Sequence, residues 1–253
     1  MGNRPDDTAD RRAAGLGRAG LAALALLVFW SGAGRADVIM RLPTHERVVA
    51  LTFDACEQQR PVKLDTGISD YLVAHRIPFT LFLSGRFVQD NQAAVRTLAA
   101  LDFVEIENHS WNHPNRMQVL SDDDVRDQVL RTDAEIARLT GRRTAFFRFP
   151  ATNYNARTLA DVEALGFRVV HYRWEVGDPD PHESADRIVR ETLEGTRPGD
   201  ILIYHINGRG WHTAAALPRM IDGLKDAGYR FVLLKEYLAE NRSRLPEPQA
   251  PRP

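Results

Sequence analysis

Residues 104–114 read VEIENHSWNHP, an alternating strand pattern that runs directly into two histidines and a proline. His109 and His113 are four positions apart, a spacing that would place them on one face of a helix. The Val/Ile alternation before them instead predicts a β-strand ending near Glu107, and Pro114 opposes a helix. The stretch therefore predicts a strand whose end presents two imidazoles.

Short, mostly apolar runs recur between Arg47 and Leu238, and they alternate with helix-like segments. This alternation is typical of a parallel sheet with helices packed on it. The predicted strands are Val48–Phe53, Pro78–Ser84, Phe103–Glu107, Thr144–Phe149, Phe167–Trp174, Ile201–Tyr204 and Tyr229–Leu234. The predicted helices are Leu64–His75, Gln92–Leu101, Asp122–Leu139, Ala156–Leu165, Ser184–Leu193 and Ala214–Ala227.

Several of these helices have recognisable ends. Ser121 followed by Asp124 can cap the third helix, while Gly141, Gly166 and Gly228 stand where a helix end needs a residue that tolerates positive φ. Seven strand and helix units are one short of a complete eightfold barrel. The sequence therefore predicts a distorted (β/α)7 TIM-like barrel, with a doubly wound open sheet as the alternative.

The composition is that of an ordinary soluble globular protein, with 43% hydrophobic and 26% charged residues. Lys and Arg number 33 against 34 Asp and Glu, for a formal net charge of −1. A nucleic-acid-binding protein needs a basic surface, and the chain contains no basic run of five or more residues. We expect no nucleic-acid partner, and a neutral or weakly charged substrate.

The two ends differ from the rest of the chain. Residues 1–36 have arginines, an apolar stretch and small residues before a cut after Ala36, which predicts a signal peptide and export to the periplasm or the medium. The alternative is that this segment stays uncleaved as a membrane anchor. Apart from such an anchor, we expect no stable membrane partner. Residues 37–241 form the predicted catalytic domain, and residues 242–253 a disordered Pro-rich tail. Cys56 is the only cysteine, which excludes an internal disulfide.

Polar side chains follow six of the seven predicted strands at the points where the strands end. The carboxyl ends of parallel barrel strands meet at one rim, and the loops there carry the chemistry. This rim is where we expect the functional site. The residues concerned are Asp54, Ser84, His109 and His113, Arg148, Asp178 and His205.

The two histidines suit a divalent transition metal. Zinc commonly takes two histidines and a carboxylate and keeps an open position. Acidic Glu105 and Glu107 precede His109 and His113. The spacing alone also fits two ordinary loop histidines, so both interpretations stay open.

Three further residues have types that suit catalysis. Asp54 ends the apolar run VVALTFD, where it is suited to accept a proton from an attacking water, or alternatively to cap a helix. Arg148 interrupts the apolar run TAFFRFP, so its guanidinium requires a carboxylate or anion, in a site or in a structural ion pair. His205 ends ILIYH and is suited to give a proton to a leaving group near neutral pH.

The ordered motifs resemble those of the polysaccharide deacetylases of carbohydrate esterase family 4, which share the NodB homology domain. The resemblance covers Arg47 to Leu238, and its second motif is close to diagnostic. The matching stretches are ALTFD at 50–54, ENHSWNHP at 107–114, FRFPA at 147–151, GDPDP at 177–181 and LIYH at 202–205.

This resemblance implies a distorted barrel and metal-dependent removal of acetyl groups from N-acetylated sugars. It implies zinc, with cobalt or nickel as alternatives. By position, His109 and His113 become metal ligands, Asp54 the general base and His205 the general acid. Arg148 would hold the base in place.

Two further roles are carried over from the family. The backbone N–H of Ala151 would contribute to an oxyanion hole. The aspartate that orients His205 would be Asp178, with Asp180 as the alternative.

The chain departs from the family pattern in two places. Family members usually have a second aspartate, a metal ligand, at the position of Ala55, so the third ligand is uncertain between Asp54 and Cys56. Cys56 also fits a small buried hydrophobic residue. The chain has Ala151-Thr152-Asn153 where the family tends to have Tyr and Gly, so the resemblance does not define the shape of the sugar subsite.

Four aromatic residues are candidates for stacking against a sugar. We expect Trp211, preceded by glycines in NGRGWHTA, to be the strongest of them. Packing in the core or in a loop is the alternative for each. The candidates are Trp111, Tyr154, Trp174 and Trp211.

The predicted function is metal-dependent deacetylation of a peptidoglycan, chitin-like or other GlcNAc-containing glycan, and the predicted partner is that polysaccharide or its oligosaccharides. One alternative is a carbohydrate-binding pseudoenzyme that lost its metal when Ala55 replaced the ligand. A second alternative is an esterase for O-acetylated polysaccharide.

Overall fold

The computed structural model describes residues 37–57 and 60–238. The predicted signal peptide, residues 1–36, and the predicted tail, residues 242–253, lie outside this part of the chain. Within the described ranges, none of the helices combines the length and the apolar character needed to cross a bilayer.

In residues 37–57 and 60–238, seven parallel strands form one curled sheet with helices packed against it. The spatial order is β5-β4-β3-β2-β1-β6, and β7 pairs with the start of β1. All seven predicted strands are present, although β4 and β5 are only two residues long. The strands are β1 Val48–Ala55, β2 Phe79–Leu83, β3 Val104–Asn108, β4 Phe146–Phe147, β5 Arg168–Val169, β6 Ile201–His205 and β7 Arg230–Val232.

In the described part of the chain, eight helices and two short 3-10 turns lie between the strands or, for the last helix, after them. The six predicted helices are present, and the additional ones, α2 and α8, are too short to show a helical period in the sequence. Leu234, predicted as the last strand residue, instead begins α8. The helices are α1 Thr66–Ala74, α2 Gly85–Asp90, α3 Gln92–Ala99, α4 Asp122–Thr140, α5 Ala156–Ala164, α6 Ala185–Gly195, α7 Thr213–Asp226 and α8 Leu234–Tyr237; the 3-10 turns are Met117–Val119 and Pro150–Thr152.

The predicted helix ends are confirmed. The Ser121 hydroxyl accepts the Asp124 N–H at 3.2 Å and so satisfies one of the unpaired donors at the start of α4. Gly141 ends α4 with φ 72°, and Gly166 and Gly228 have φ of 91° and 80°. These left-handed conformations explain glycine at all three positions.

The segment before β1 bridges the gap in the barrel between β5 and β6. Ile39 forms a parallel bridge with Val170, and Arg41 forms an antiparallel bridge with Asp200. The Leu42 N–H also donates to the Gly199 carbonyl at 2.8 Å. The predicted distorted barrel is confirmed, and a short extended segment takes the place of the missing eighth strand.

The side chains of β1 alternate between the helix layer and the barrel interior, as the strand period of two requires. Ala55 packs in the hydrophobic cluster between the sheet and the helices. Val48 and Ala50 pack in a second cluster with residues of β2, β4 and β7. Asp54 and Cys56, further along the same face, line an open cleft at the carboxyl end of the sheet.

Candidate active site

A cleft of about 1000 Å³ opens at the carboxyl ends of the strands. It is where the loops of a parallel barrel converge. Seven of the predicted site residues line it together: Asp54, Cys56, His109, His113, Arg148, Ala151 and His205. The other residues of its wall are Arg60, Val62, Asn115, Phe149, Thr152, Asn153, Tyr172, Glu175, Pro179, Ile203 and Arg209.

Asp54 and Arg148 form a buried ion pair on the floor of the cleft. Arg148 Nη1 donates to Asp54 Oδ1 at 2.7 Å and to Thr52 Oγ1 at 3.0 Å. Arg148 Nε donates to the Val170 carbonyl at 3.2 Å, and the guanidinium lies 3.9 Å from the ring centroid of Phe82. A buried guanidinium requires such an anionic partner, and these contacts hold both charges in one geometry.

The surroundings of Asp54 keep its carboxylate ionised. Burial alone would raise the pKa of Asp54, but the positive charge of Arg148, together with His109 and His205, lowers that pKa below its ordinary value. Arg148 therefore both orients Asp54 and keeps it able to accept a proton.

His109 and His113 lie beside this pair, with ring centroids 4.9 Å apart. His109 Nδ1 donates to the Arg148 carbonyl at 2.9 Å, so its Nε2 is the nitrogen left for a ligand. That Nε2 lies 3.5 Å from Asp54 Oδ2. Burial is the main cause that lowers the pKa of His109, which favours the neutral imidazole that a metal needs.

The loop that carries these histidines is held from several sides. The Asn108 side chain accepts the Ser110 N–H at 3.0 Å and donates to the Val129 carbonyl at 2.8 Å. Ser110 and His113 have φ of 68° and 50°, left-handed conformations that cost about 1–3 kcal/mol each in residues other than glycine. The hydrogen bonds stabilise a backbone that turns His113 back toward His109.

Glycine at position 85 lets the start of α2 pack against this loop. The Gly85 N–H donates to the Ser110 carbonyl at 3.0 Å. A Cβ at position 85 would lie 2.1 Å from Trp111 Cε3, so any side chain there would displace the indole. Trp111 is buried, which makes it a packing residue of the loop.

His205 and Asp178 form the third element of the site. His205 Nδ1 and Asp178 Oδ1 are 2.9 Å apart, and Asp178 Oδ2 accepts the His205 N–H at 2.7 Å and the Thr213 hydroxyl at 2.9 Å. Burial alone would lower the pKa of His205, but the bond to Asp178 and the contact with Cys56 raise it to about 10. Asp180 instead accepts the His182 N–H.

Cys56 is buried between the histidines. Its Sγ lies 3.6 Å from His109 Nε2. Sγ and one ring nitrogen each of His109 and His113 all lie within 4.8 Å of one another. Burial alone would raise the pKa of the thiol, but hydrogen bonds with His113 and His205 lower it to about 7. The three side chains thus form a group of nitrogen and sulfur donors suited to a transition metal.

A model of the polysaccharide deacetylase family matches residues 41–170, about half of the chain. The chain belongs to this family. It is 30% identical over 205 residues to a peptidoglycan-N-acetylglucosamine deacetylase of Bacillus cereus, which covers 80% of this chain and 72% of the relative. It is 28% identical over 193 residues to the bifunctional xylanase/deacetylase of Pseudobutyrivibrio xylanivorans, where it spans 76% of its own length and 30% of the relative.

Solved structures of the same carbohydrate esterase family share the fold. A peptidoglycan N-acetylglucosamine deacetylase superposes with a TM-score of 0.73 at 28% identity, over 80% of this chain and 92% of that one. A pseudoenzyme from Bacillus anthracis superposes with a TM-score of 0.70 at 26% sequence identity, over 81% of this chain and 70% of that one. An acetyl xylan esterase from Clostridium thermocellum, in complex with cobalt, superposes with a TM-score of 0.66 at 28% sequence identity, over 75% of this chain and 89% of that one. The predicted family, fold and class of hydrolase are confirmed.

Two predicted substrate residues of this polysaccharide deacetylase domain take different positions. Ala151 lines the cleft in the turn Pro150–Thr152 with φ 50°. Trp211 is 59% exposed and is not among the described residues that line the cleft. A role for Trp211 in sugar stacking stays a prediction, and it would concern a sugar that extends beyond the cleft.

The sequence reasoning missed several residues that support the site. Thr52 precedes Asp54 by two positions and accepts a hydrogen bond from Arg148, which the strand period could have indicated. Thr213 reaches Asp178 from the start of α7, and Asn207 donates to the Cys56 carbonyl. Neither of these two contacts has a local signal in the sequence.

A stacked aromatic group behind the cleft was also missed. The buried His171 ring stacks on Tyr154 with centroids 5.4 Å apart and lies nearly parallel to Phe149 at 6.2 Å. Burial, and secondarily the charge of Arg148, lower the pKa of His171 to about 3. His171 is therefore a neutral ring beside the buried guanidinium. Tyr154 packs in this stack and is also 37% exposed, so its contact with a sugar stays a prediction.

Proposed function

We propose that this member of the family removes acetyl groups from an N-acetylated polysaccharide of the cell envelope, with a divalent metal held by His109 and His113. The observation that carries the proposal is one cleft lined by a buried carboxylate, two imidazoles suited to a metal, and a further histidine bonded to a buried aspartate. These are the groups that hydrolysis of an acetamide requires.

The metal proposal is supported by the donors present in the site. The three buried donor groups Cys56, His109 and His113 fit zinc, cobalt or nickel better than magnesium or calcium, which prefer oxygen ligands. When bound, such an ion polarises the acetyl carbonyl and makes a water more acidic. One face of the group opens to the cleft, as a catalytic site requires.

Asp54 accepts a proton from the attacking water in this proposal. Its lowered pKa keeps it ionised at neutral pH, and Oδ1 is already bonded to Arg148. The second oxygen, Oδ2, faces His109 and is the one available to a water. Arg148 positions the base without taking part in the proton transfer.

His205 donates a proton to the departing amine. A pKa of about 10 keeps the imidazole charged at neutral pH. Asp178 accepts from Nδ1, so Nε2–H is left to donate. The Ala151 N–H is proposed to stabilise negative charge on the carbonyl oxygen during attack.

The preference for an amide follows from this acid. An amine is a much poorer leaving group than an alcohol, so a histidine positioned to donate a proton contributes more to cleavage of an amide than of an ester. The relatives named as peptidoglycan deacetylases support an N-acetylated glycan of the cell wall as substrate. Such a substrate agrees with the proposed export by residues 1–36 and with a periplasmic or secreted location.

Acetate release measures the reaction directly. Purified protein is incubated with N-acetylglucosamine oligomers, peptidoglycan fragments and acetylated xylan, before and after removal of metal with a chelator. We expect release from the first two substrates, loss of it after chelation and recovery on addition of zinc or cobalt. Release that persists unchanged in the chelated protein would exclude metal dependence.

A carbohydrate-binding pseudoenzyme is a second candidate. The observation that favours it is Ala55, whose methyl group packs in the hydrophobic core and offers no ligand. A pseudoenzyme from Bacillus anthracis has the same fold, and a mutant of that protein with restored enzymatic activity has also been solved. Glycan binding without acetate release at any metal concentration would establish this second candidate.

An esterase acting on O-acetyl groups is a third candidate. The cobalt-containing acetyl xylan esterase with the same fold favours it. Preferential release from acetylated xylan in the same experiment would identify this activity.

A further inference from the structure

We infer that Cys56 is the third protein ligand of the metal site, so that the ion is bound by two imidazoles and one thiolate. The inference rests on the proposed metal-dependent function. In place of the carboxylate that the family resemblance implies at position 55, the third ligand is the sulfur of this chain's only cysteine.

The direction of side chains along β1 selects position 56. Ala55 packs in the hydrophobic layer between the sheet and the helices, and its methyl group offers no ligand atom. Cys56 follows Asp54 by two positions and lines the same cleft. The donor atom beside the histidines therefore comes from position 56, directly after the end of β1.

The distances place the thiol within reach of a shared ion. Sγ is 3.6 Å from His109 Nε2, and all three donor atoms lie within 4.8 Å of one another. Zn–S bonds of about 2.3 Å and Zn–N bonds of about 2.0–2.1 Å in a tetrahedral site separate ligand atoms by less than this limit. Binding therefore requires only small side-chain movements.

The backbone on both sides of Cys56 is held in place. The Asn207 side chain donates to the Cys56 carbonyl, and the Glu57 N–H donates to Ser84 Oγ at 3.0 Å. Asp54 lies next to the same site, but its Oδ1 is engaged by Arg148. Among the described residues, the donor atoms that all lie within 4.8 Å of one another belong to Cys56, His109 and His113, and Asp54 is not in this group, so the sulfur is the better-placed third ligand.

A thiolate ligand gives the metal site the same charge as a carboxylate ligand would, but it changes which metal ions the site prefers. Two neutral imidazoles and one anion leave the same net charge on the ion whether the anion is a carboxylate or a thiolate. Sulfur favours zinc and other thiophilic ions over magnesium or manganese. The thiol proton is released to solvent when the metal–sulfur bond forms.

Cobalt(II) gives a spectroscopic test that does not depend on activity. Cobalt bound to a thiolate shows a charge-transfer band in the near ultraviolet, and only Cys56 can supply a thiolate in this chain. The full chain, freed of metal and kept reduced, is titrated with cobalt chloride. We expect one equivalent to produce the band, and zinc to remove it by displacement.

Three variants assign the band. Cys56→Ser should abolish it and weaken zinc binding by more than the ~10–100-fold that follows loss of a group hydrogen-bonded to a ligand. His113→Gln should also weaken binding. His205→Gln serves as the matched control, because His205 contacts Cys56 and is not in the donor group, so the band should persist.

The outcomes separate this inference from the proposed function. The cysteine ligand would be overturned if the unaltered protein bound cobalt without showing the band and Cys56→Ser bound cobalt with equal affinity. That result would leave metal dependence intact. Failure of the unaltered protein to bind cobalt or zinc would overturn both. The result on the unaltered protein decides the matter even if a variant fails to fold.

A second readout follows from the reactivity of the thiol. Bound zinc should slow alkylation of Cys56 by iodoacetamide, measured by intact mass, and chelation should restore the rate. An equal rate in the presence and absence of bound zinc would contradict ligation.

Discussion

Asp54 and His205 are register partners at the ends of the paired strands β1 and β6. Parallel pairing therefore brings the proposed base and the proposed acid to neighbouring positions on one rim. Each has its own buried partner, Arg148 for Asp54 and Asp178 for His205. Carboxylate and imidazolium can coexist as charged groups because each is fixed by a group of opposite charge.

Replacement of the base should reduce activity without unfolding the protein. Asp54→Asn keeps an oxygen that can accept from Arg148 but can no longer accept a proton from water. We expect kcat to fall by about 10²–10⁴-fold. Acetate release measures the loss, and circular dichroism verifies the fold. A variant that retains more than half of the activity would exclude Asp54 as the base.

Two neighbouring aspartates provide a matched pair for His205. Asp178→Asn removes the carboxylate from His205, whereas Asp180→Asn changes a carboxylate that accepts the backbone N–H of His182. We expect the first change to lower kcat by about 10²-fold or more and the second to have little effect.

The pH profile distinguishes positioning of His205 from a general structural effect. Loss of Asp178 should lower the pKa of His205 from about 10, because the bond to that carboxylate raises it. The high-pH limit of activity should therefore move to lower pH in Asp178→Asn. An unmoved profile with lower activity would indicate a merely structural role.

Removal of the buried guanidinium should destabilise the fold. Arg148→Met leaves Asp54 buried without its counter-charge, and such changes cost about 3–5 kcal/mol in the free energy of unfolding. The double variant Arg148→Met with Asp54→Asn should lose less than the sum of the single changes, because the two residues interact.

Urea denaturation measures these free energies. The ion pair of Arg138 and Glu135 is the comparison, because the Arg138 side chain is 55% exposed and an ion pair at the surface contributes little. The proposed coupling would be contradicted if the losses of unfolding free energy from Arg148→Met and Asp54→Asn were additive. It would also be contradicted if Arg138→Met lost as much unfolding free energy as Arg148→Met.

Two buried glutamates should make stability fall as pH rises. Burial, with the neighbouring charge of Glu105, raises the pKa of Glu107 well above its ordinary value of 4.5. The unfolded chain loses this proton near that ordinary value, whereas the folded chain keeps it until a higher pH. The stability is fully present below pH 4.5 and falls between the two pKa values, by up to about 1.4 kcal/mol per pH unit.

Glu107→Gln should flatten this dependence. A glutamine oxygen can still accept the N–H groups of Ala145 and Phe146, which Glu107 Oε2 accepts at 2.8 and 2.7 Å. Denaturation at several pH values measures the slope, with the exposed Glu194→Gln as the control. Equal slopes in the unaltered protein and in Glu107→Gln would show that Glu107 is not the group responsible.

Local patterns in the sequence were sufficient for much of the fold. Short apolar runs predicted every strand of the described residues, Ser121 and Gly141 predicted the ends of α4, and five ordered motifs indicated the family. These features are local because burial on one face of an element depends on the spacing of its own residues. The residue types of the site could be read in the same way.

Tertiary structure alone decided which of those residues meet. Only the folded chain shows that Ala55 faces the helices while Cys56 faces His109, and that Asp178 contacts His205. It also brings residues 39–42 across the open side of the barrel. These contacts depend on strand register and loop path, which are set by packing between elements distant in the chain, and no local pattern encodes them.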